Sequence, residues 1–253
     1  MGVINFKLLV EYDGTAFHGW QSQRRERTVQ AELVAALRKV IAQDRIVLIG
    51  AGRTDAGVHA RAQVANVRLD TSIRPEQLRK AINSHLPDDV RVQTIEPVSD
   101  AFHARNSAMA RRYSYAMTDT QPVLGRQYVW AVKYPLERDL LDAGARLTAG
   151  QHDFAGFVKA NSEVDSTVCK VETSLWDHSK HDMTYHIRAD RFLHHMVRYL
   201  VGTMVEVARG RYTLDQFQAQ LEKGRDSITV YRAPAQGLVL EEVLYPADQS
   251  ALP

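Results

Sequence analysis

Apolar and polar residues alternate along this chain in short segments that have the periods of strands and helices. Residues 6–12 alternate with period two, which is typical of a half-buried strand, and this strand ends at Asp13-Gly14. Thr28 is a residue type that caps helices, and the apolar residues after it recur at helical spacing as far as Ile41. The rest of the first half predicts a strand at Ile46–Ile49, a strand at Ala65–Asp70, a helix with Pro75 near its start and Leu78, Ile82 and Leu86 on one face, and a strand at Val90–Ile95.

The second half of the chain repeats this order of elements without obvious sequence similarity. Tyr113, Tyr115 and Met117 share one face of a predicted strand. The remaining pattern predicts a helix with Leu136, Leu140 and Leu147 on one face and its end at Gly150, strands at about Val168–Trp176 and Met183–Ala189, a helix at Phe192–Arg209 that stops at Gly210, a shorter helix from Thr213 to Gly224, and a closing strand with Leu238, Leu240 and Val243. Each half therefore has the order β-α-β-β-α-β.

That order is typical of a ferredoxin-like unit, in which helices cover one face of a mainly antiparallel sheet. Two such units predict an α+β protein with a first half at residues 1–105 and a second half at residues 106–253. The join falls near residues 97–108, after Pro97, and no Gly/Ser-rich linker separates the halves. We therefore expect two rigidly associated halves whose open sheet faces form a shared cleft.

The composition is that of an ordinary globular protein and excludes several classes. The 253 residues are 45% hydrophobic and 25% charged, which is enough for a sizeable core and excludes global disorder. No apolar run reaches the roughly 18 to 20 residues of a membrane span, and the N-terminus lacks the pattern of a signal peptide. The single cysteine, Cys169, has no internal partner for a disulfide. These features predict a cytoplasmic protein without a membrane partner.

Positive charge is concentrated in two segments although the net charge is only +2. Residues 101–130 contain four arginines against one acidic residue, and residues 186–211 contain five arginines against two. Arginine is well shaped for bidentate contact with phosphate, so both segments are candidates for binding nucleic acid. On charge alone, a scattered solvated surface explains the same pattern.

A glycine-rich segment after the second predicted strand is the first candidate for chemistry. Gly50, Gly52 and Gly57 flank the tripeptide Arg53–Asp55. Glycine allows a tight turn and the close approach of a large ligand, and the nearby arginine favours the ionised carboxylate of Asp55 as a nucleophile or base. A hairpin turn whose Thr and Asp side chains bond the local backbone is the structural alternative. The segment matches neither a phosphate-binding loop nor a dinucleotide fingerprint.

Two further segments carry candidate binding residues. Tyr113, beside Arg111 and Arg112, can stack a base while the arginines hold its phosphate, although strand tyrosines are often ordinary core residues. Arg198 lies about 60° beyond the apolar stripe of its predicted helix. From there its side chain can reach a cleft, or it can extend along the surface to water as many arginines do.

No metal site is predicted. His194 and His195 are adjacent, so on a helix they point about 100° apart and make an improbable metal pair. The motifs H-E-x-x-H and C-x-x-C do not occur in the sequence. Asp55 is the carboxylate that stands out in a loop, and Asp13 near the N-terminal turn is a weaker second candidate. One nucleophilic carboxylate with arginines and a tyrosine suits chemistry that needs neither a metal nor a redox cofactor.

Several separated strings occur in an order that is typical of one enzyme family. They are EYDGTAFHGWQSQ, TVQAEL, GAGRTDAGVHA, FHAR, RRYSY, HDF and FLHHMVR. With these strings the chain resembles the tRNA pseudouridine synthase A family over essentially its whole length, and RTDAGVHA is highly specific. The resemblance implies the pseudouridine synthase fold, in which two ferredoxin-like halves share an extended, mainly antiparallel sheet with a central active-site cleft.

The resemblance also implies an activity. The expected reaction is the isomerisation of uridine to pseudouridine at positions 38, 39 and 40 in the anticodon stem-loop of tRNA. No cofactor is expected, because the product of this reaction is an isomer of the substrate. The family is homodimeric, so we expect two copies of this chain to contact one tRNA.

The resemblance assigns roles to residues of this sequence. Asp55 matches the catalytic aspartate, a nucleophile that attacks the ribose C1′, attacks the uracil ring or promotes a glycal route. Arg53 matches an arginine that helps to flip the nucleotide out of the stem, and Tyr113 matches a tyrosine that stacks on the base. Arg198 matches the arginine that pairs with the catalytic carboxylate, and Leu238 matches an apolar residue that lines the uracil pocket. The residues expected to hold stem phosphates are Arg105, Arg111 and Arg112.

Two other functions fit the residues alone. A non-catalytic RNA-binding module would use the arginines, the tyrosines and an open sheet face without needing Asp55. An N-glycosylase acting on RNA or nucleosides would also use a carboxylate at C1′. It would release free uracil and leave an abasic site, whereas a pseudouridine synthase leaves the mass of the RNA unchanged.

Overall fold

The computed structural model describes residues 2–41, 43, 45–159, 165–223 and 228–247 of the chain. These residues form two units. The first comprises the described residues up to Met109 and from Val239 onward, and the second comprises those from Ala110 to Leu238. Among the described residues, no helix is both long enough and apolar enough to cross a membrane.

The first unit is built on an antiparallel sheet. Its strands are β1 (Val3–Tyr12), β2 (Leu48–Gly50), β3 (His59–Asp70) and β4 (Val90–Val98). They lie in the order β4-β1-β3-β2, and each of these pairings is antiparallel. Because β3 lies between β1 and β2, the unit contains a split βαβ arrangement. The alternation in residues 6–12 forms the buried face of β1, as predicted.

Two helices connect these strands. They are α1 (Val29–Val40) and α2 (Pro75–Asn83). Each buries the apolar stripe that the spacing predicts, since Leu33, Leu37, Leu78 and Ile82 are fully buried. Pro75 is the first residue of α2, where its missing N–H has no partner to lose.

The predicted side-chain cap of α1 is wrong. Thr28 occupies the N-cap position, but its hydroxyl makes no capping hydrogen bond. The first N–H groups of the helix find backbone partners instead, because Val29 donates to the carbonyl of Gly19 and Gln30 donates to that of Trp20. Backbone carbonyls of the segment after β1 therefore cap the helix in place of a side chain.

The second unit has its own mainly antiparallel sheet. Its elements are β5 (Ala110–Thr118), β6 (Trp130–Ala131), α3 (Arg138–Thr148), β7 (Gly150–Asp153), β8 (Val168–His178), β9 (Asp182–Ala189), α4 (Met196–Ala208) and α5 (Leu214–Lys223). Strand β9 pairs antiparallel with β5 and with β8, and β8 pairs antiparallel with β7. The short β6 pairs parallel with β5. The combination of helices with mainly antiparallel strands confirms the predicted α+β class.

The buried face of α3 differs from the prediction. Leu136 precedes the helix, and Leu140 and Leu147 are only partly buried. The residues that form the buried face are Leu141, Gly144, Ala145 and Thr148. Gly144 explains this orientation, because a Cβ at that position would lie 2.9 Å from Cγ of Met204 on α4. A small residue lets the two helices approach closely, and this contact outweighs the size of the two leucines.

Helix α4 is buried on nearly every side. Twelve of its thirteen residues are buried, and the exception is Tyr199. The helix begins at Met196 rather than at the predicted Phe192, because His195 has a left-handed backbone with a φ of 68°. Gly210 follows its end with a φ of 79°, in agreement with the predicted stop. The predicted end of the next helix, at Gly224, lies outside the described residues.

The closing strand β10 (Leu238–Leu244) returns the chain to the first unit. Its residues Val239 and Leu240 pair in parallel with His59 and Ala60 of β3. The sequence predicts this strand within a second half at residues 106–253, after a first half at 1–105. The structure groups the described residues from 239 onward with the first unit and extends that unit to residue 109. The difference has a physical reason, because local periodicity does not reveal which distant strand a segment pairs with.

Candidate active site

Asp55 lies in a loop of the first unit that joins β2 to β3. The loop comprises residues 51–58, and two hydrogen bonds fix its beginning to β3. The N–H of Ala51 donates to a carbonyl of β3 over 2.8 Å, and Nε2 of Gln63 donates to the carbonyl of Gly52 over 3.1 Å. Asp55 is half-buried, whereas Thr54 before it is buried. The loop therefore presents the carboxylate on a fixed backbone.

The segment that follows β1 holds the other part of the loop. The N–H of Trp20 donates to the carbonyl of Thr54 over 3.1 Å, and the N–H of Gly57 donates to the carbonyl of Phe17 over 3.2 Å. The hydroxyl of Tyr12 lies 2.7 Å from Oγ1 of Thr54. The strings EYDGTAFHGWQSQ and GAGRTDAGVHA therefore form two sides of one packed structure.

Close packing explains two of the glycines around the loop. A Cβ at Gly14 would lie 2.0 Å from the carbonyl oxygen of Val58, and a Cβ at Gly50 would lie 2.5 Å from the ring of Trp20. Gly52 differs, because nothing lies within 4 Å of the position that its Cβ would take. Gly50 thus serves core packing, while Gly52 leaves room beside the loop backbone.

Arg53 precedes Asp55 by two residues in the same loop. Its side chain is exposed, and it takes part in no hydrogen bond or ion pair within the described part of the chain. Its exposed guanidinium is accessible to a large ligand.

Tyr113 lies on β5 of the second unit, opposite Ile187 of β9. Its ring is buried and packs edge-on against Phe192, with ring centroids 5.1 Å apart and an interplanar angle of 88°. This contact fixes the orientation of the ring. Tyr115, two residues later, is fully buried, and its hydroxyl donates to the carbonyl of Pro234 over 2.7 Å. Tyr115 is therefore the core tyrosine of the motif.

Arg198 is only 8% exposed, which excludes a side chain that extends along the surface to water. Its Nε donates to the carbonyl of Ala233 over 2.8 Å, and the N–H of Ala233 donates to the carbonyl of Arg198 over 3.0 Å. The predicted place of Arg198 at the border of an apolar stripe is wrong, because α4 is buried on both sides of that border. The bond at Nε fixes the plane of the guanidinium.

The segment 231–238 packs closely on α4 and β5. A Cβ at Gly202 on α4 would lie 2.1 Å from a backbone oxygen of this segment. A Cβ at Gly237 would lie 2.7 Å from a backbone oxygen of β5. Leu238 ends the segment and is buried. Arg198 bonds to this segment at Ala233, five residues before Leu238.

Arg105 is exposed on a fixed loop of the first unit. The loop, residues 99–107, is held by two buried asparagines. Nδ2 of Asn5 donates to the carbonyl of Phe102 over 3.0 Å, and Oδ1 of Asn66 accepts the N–H of Ala104 over 2.9 Å. An exposed arginine on a fixed backbone suits contact with a phosphate.

Arg111 and Arg112 lie on β5 and are partly exposed. Arg111 donates from one terminal nitrogen to the carbonyl of Asp190 over 2.8 Å. Arg112 lies directly opposite Arg188 of β9, and Arg188 pairs with Glu172 over 2.7 Å. Like charges opposite each other on neighbouring strands repel, and the pairing of Arg188 with Glu172 offsets this repulsion.

The sequence predicts that His194 and His195 lie on a helix, and this prediction is wrong. Both residues precede α4, which begins at Met196. Their ring centroids are 4.1 Å apart. A terminal nitrogen of Arg232 lies 3.2 Å from Nδ1 of His195. A guanidinium this close disfavours a second cation at that nitrogen.

Sequence reasoning missed the contact between Tyr12 and Thr54. The pattern assigns Tyr12 to the apolar face of β1, and it assigns Thr54 to a turn in which it bonds the local backbone. The structure joins their hydroxyls instead. A signal was present, because a hydroxyl at the last buried position of a strand needs a hydrogen-bonding partner.

Comparison with known proteins gives a family match over most of the chain. The model of the family described as tRNA pseudouridine synthase matches residues 8–106 and 145–246. These two stretches include Asp55, Arg198 and Leu238, whereas Tyr113 lies between them.

Three curated proteins named tRNA pseudouridine synthase A are similar to this chain over nearly its whole length. The protein from Bacillus pumilus is 40% identical over 242 residues, which cover 94% of this chain and 98% of that protein. The protein from Thermoanaerobacter sp. is 39% identical, with coverage of 95% and 99%. The protein from Pelodictyon phaeoclathratiforme is 38% identical, with the same coverage of 95% and 99%.

Proposed function

The chain belongs to the tRNA pseudouridine synthase family and is an isomerase of tRNA uridine, and we propose that its targets are positions 38, 39 and 40 in the anticodon stem-loop. One observation carries the proposal that Asp55 is the centre of this isomerisation. Asp55 is a half-buried carboxylate on a loop that is fixed on both sides, and it lies within the first stretch that the family model matches.

Asp55 is the proposed nucleophile. The N1–C1′ bond of uridine breaks, the uracil turns, and a C5–C1′ bond forms, while the proton lost from C5 is balanced by one gained at N1. Asp55 attacks C1′, attacks the uracil ring or promotes a glycal, and each route needs the carboxylate in one place while the base turns. Because the product is an isomer of the substrate, the proposed reaction uses no ATP, redox cofactor or metal.

Tyr113, Arg198 and Leu238 complete the proposed set. Tyr113 stacks on the target uracil and helps to remove the C5 proton, and the fixed orientation of its ring supports this role. Arg198 is the proposed partner of the Asp55 carboxylate. Its burial supports a partner inside the protein rather than water. Leu238 forms an apolar wall for the base.

Exposed and partly exposed arginines form the proposed tRNA-binding surface. Arg53 enters the stem as the target nucleotide flips out, a step that costs a few kcal/mol. Arg105, Arg111 and Arg112 hold backbone phosphates. We further propose that the active form is a homodimer in the cytoplasm, with one tRNA in contact with both copies.

Tritium release from tRNA that carries [5-³H]uridine tests this function, with a chelator present and no cofactor added. We expect release by the wild type and none by Asp55→Asn, with tRNA affinity within a few fold of wild type. Asp70→Asn is a matched control, because Asp70 is an exposed carboxylate at the far end of β3 and should leave the rate unchanged.

The products distinguish the proposal from the two other functions. Tight tRNA binding without release would favour an RNA-binding module. Free uracil and an abasic site would indicate an N-glycosylase. Retained turnover in Asp55→Asn would refute the assignment of Asp55 as nucleophile.

A further inference from the structure

The hydroxyls of Tyr12 and Thr54 form a buried pair beside the loop that carries Asp55. Their oxygens are 2.7 Å apart, and the two residues are 3% and 7% exposed. Burial raises the pKa of the Tyr12 hydroxyl to about 12, so this group stays protonated at neutral pH. A hydrogen bond of this length without competing water is a firm link between β1 and the loop.

Thr54 is also fixed at its backbone. Its carbonyl accepts the N–H of Trp20 over 3.1 Å, and Gly19, with a φ of 87°, approaches so closely that a Cβ there would lie 2.5 Å from the same oxygen. On the other side, the carbonyl of Asp55 itself accepts the N–H of Val58 over 3.2 Å. Both peptide groups that flank Cα of Asp55 are therefore held.

We propose that Tyr12 and Thr54 are positioning residues for the isomerisation, because their hydroxyl pair fixes the backbone from which the carboxylate of Asp55 reaches uridine. This inference rests on the proposed function of Asp55. In this role neither hydroxyl touches the substrate, and both act through the loop. Misplacing a reacting group by about 1 Å can cost about 100-fold in rate, so the pair acts on the chemical step rather than on tRNA affinity.

A double-mutant cycle tests the inference. It combines Tyr12→Phe, Thr54→Val and the double variant, with Thr54→Ser as the conservative variant that keeps the hydroxyl. The measured quantities are the single-turnover rate constant for tritium release, the Kd for tRNA and the free energy of unfolding. Tyr185→Phe is the matched control, because Tyr185 is fully buried in the second unit and its hydroxyl lies 2.7 Å from Oγ of Ser174.

We expect Tyr12→Phe and Thr54→Val each to lower the rate constant on the order of 10- to 100-fold while Kd stays within about twofold. The double variant should be no slower than the slower single variant, because both changes remove the same hydrogen bond. Thr54→Ser should restore most of the rate. Tyr185→Phe should lose a similar amount of stability and keep the wild-type rate.

Three results would overturn the inference: a loss of rate in Tyr12→Phe no larger than in Tyr185→Phe, a loss expressed in Kd, or two single losses that multiply in the double variant. A wild type that binds tRNA without releasing tritium is a separate outcome. It would reject the proposed function itself and the inference that rests on it.

Discussion

At the scale of single residues, the buried Arg198 connects packing with the proposed chemistry. A buried charge costs several kcal/mol unless it is paired and hydrogen-bonded. Its Nε meets part of this requirement by donating to the carbonyl of Ala233. The same bond ties α4 to the segment 231–238 at Ala233.

Arg198→Lys should separate the role of the positive charge from that of the guanidinium hydrogen bonds. The change keeps the charge and removes the planar, multiply donating group. We expect the free energy of unfolding to fall by about 1–3 kcal/mol, since the carbonyl of Ala233 loses its charged donor. The single-turnover rate should fall by about tenfold or more. Urea unfolding and tritium release measure the two effects. Arg211→Lys, at an exposed partner of Glu206, is the control, and wild-type values for Arg198→Lys would contradict the assignment.

At the scale of elements, helix α4 organises the second unit. Gly202 lets the segment 231–238 lie directly on the helix. The C-terminal end of the helix carries the buried Glu206, which pairs with Arg209 and Arg211 over 3.1 Å each. A helix buried on nearly every side tolerates little change of volume, because its neighbours cannot move into solvent.

Gly202→Ala should destabilise the protein although alanine is the better helix former by roughly 1 kcal/mol. The new Cβ would lie 2.1 Å from the carbonyl oxygen of Tyr231, so backbone must move. We expect a loss of about 3 kcal/mol, the upper range for overpacking, in urea unfolding.

Gly144→Ala is the matched control, at a buried position of α3. There the nearest atom is Cγ of Met204 at 2.9 Å, which belongs to a flexible side chain that can shift. Its loss should be clearly smaller than that of Gly202→Ala. Equal losses would show that close contact with backbone is not the cause.

At the scale of the whole molecule, the arginines proposed to hold phosphates are spread over both units. Arg105 belongs to the first unit, and Arg111 and Arg112 belong to the second. The net charge of +2 is too small to attract tRNA by itself, so the position of each arginine must matter more than the total. Binding that relies on such contacts depends steeply on salt.

Arg105→Ala should weaken tRNA binding and reduce the slope of log Kd against log salt by about one unit, because one phosphate contact is lost. Filter binding at several salt concentrations measures the slope. Arg79→Ala is the control, since Arg79 is a surface arginine of the first unit that pairs with Glu76 within α2. A slope for Arg105→Ala equal to that of the control would remove Arg105 from the binding surface.

The sequence by itself determined the five helices, the longer strands, the α+β class and the loop that carries Asp55, but it did not predict the short strands β6 and β7. Strand and helix periods are local properties, so the alternation in β1 and the stripes of α1 and α2 are visible without any knowledge of the partners. The rare composition of the loop, with glycines around Arg53 and Asp55, is visible for the same reason.

Only the tertiary structure decided which residues meet. It turned the face of α3 that contains Gly144 toward α4. It also set the start of α4 at Met196, after the left-handed His195, and paired β10 with β3. It also joined the hydroxyls of Tyr12 and Thr54, which are 42 residues apart in the chain. These outcomes depend on close packing and on hydrogen bonds between distant segments, and a local pattern carries no information about such contacts.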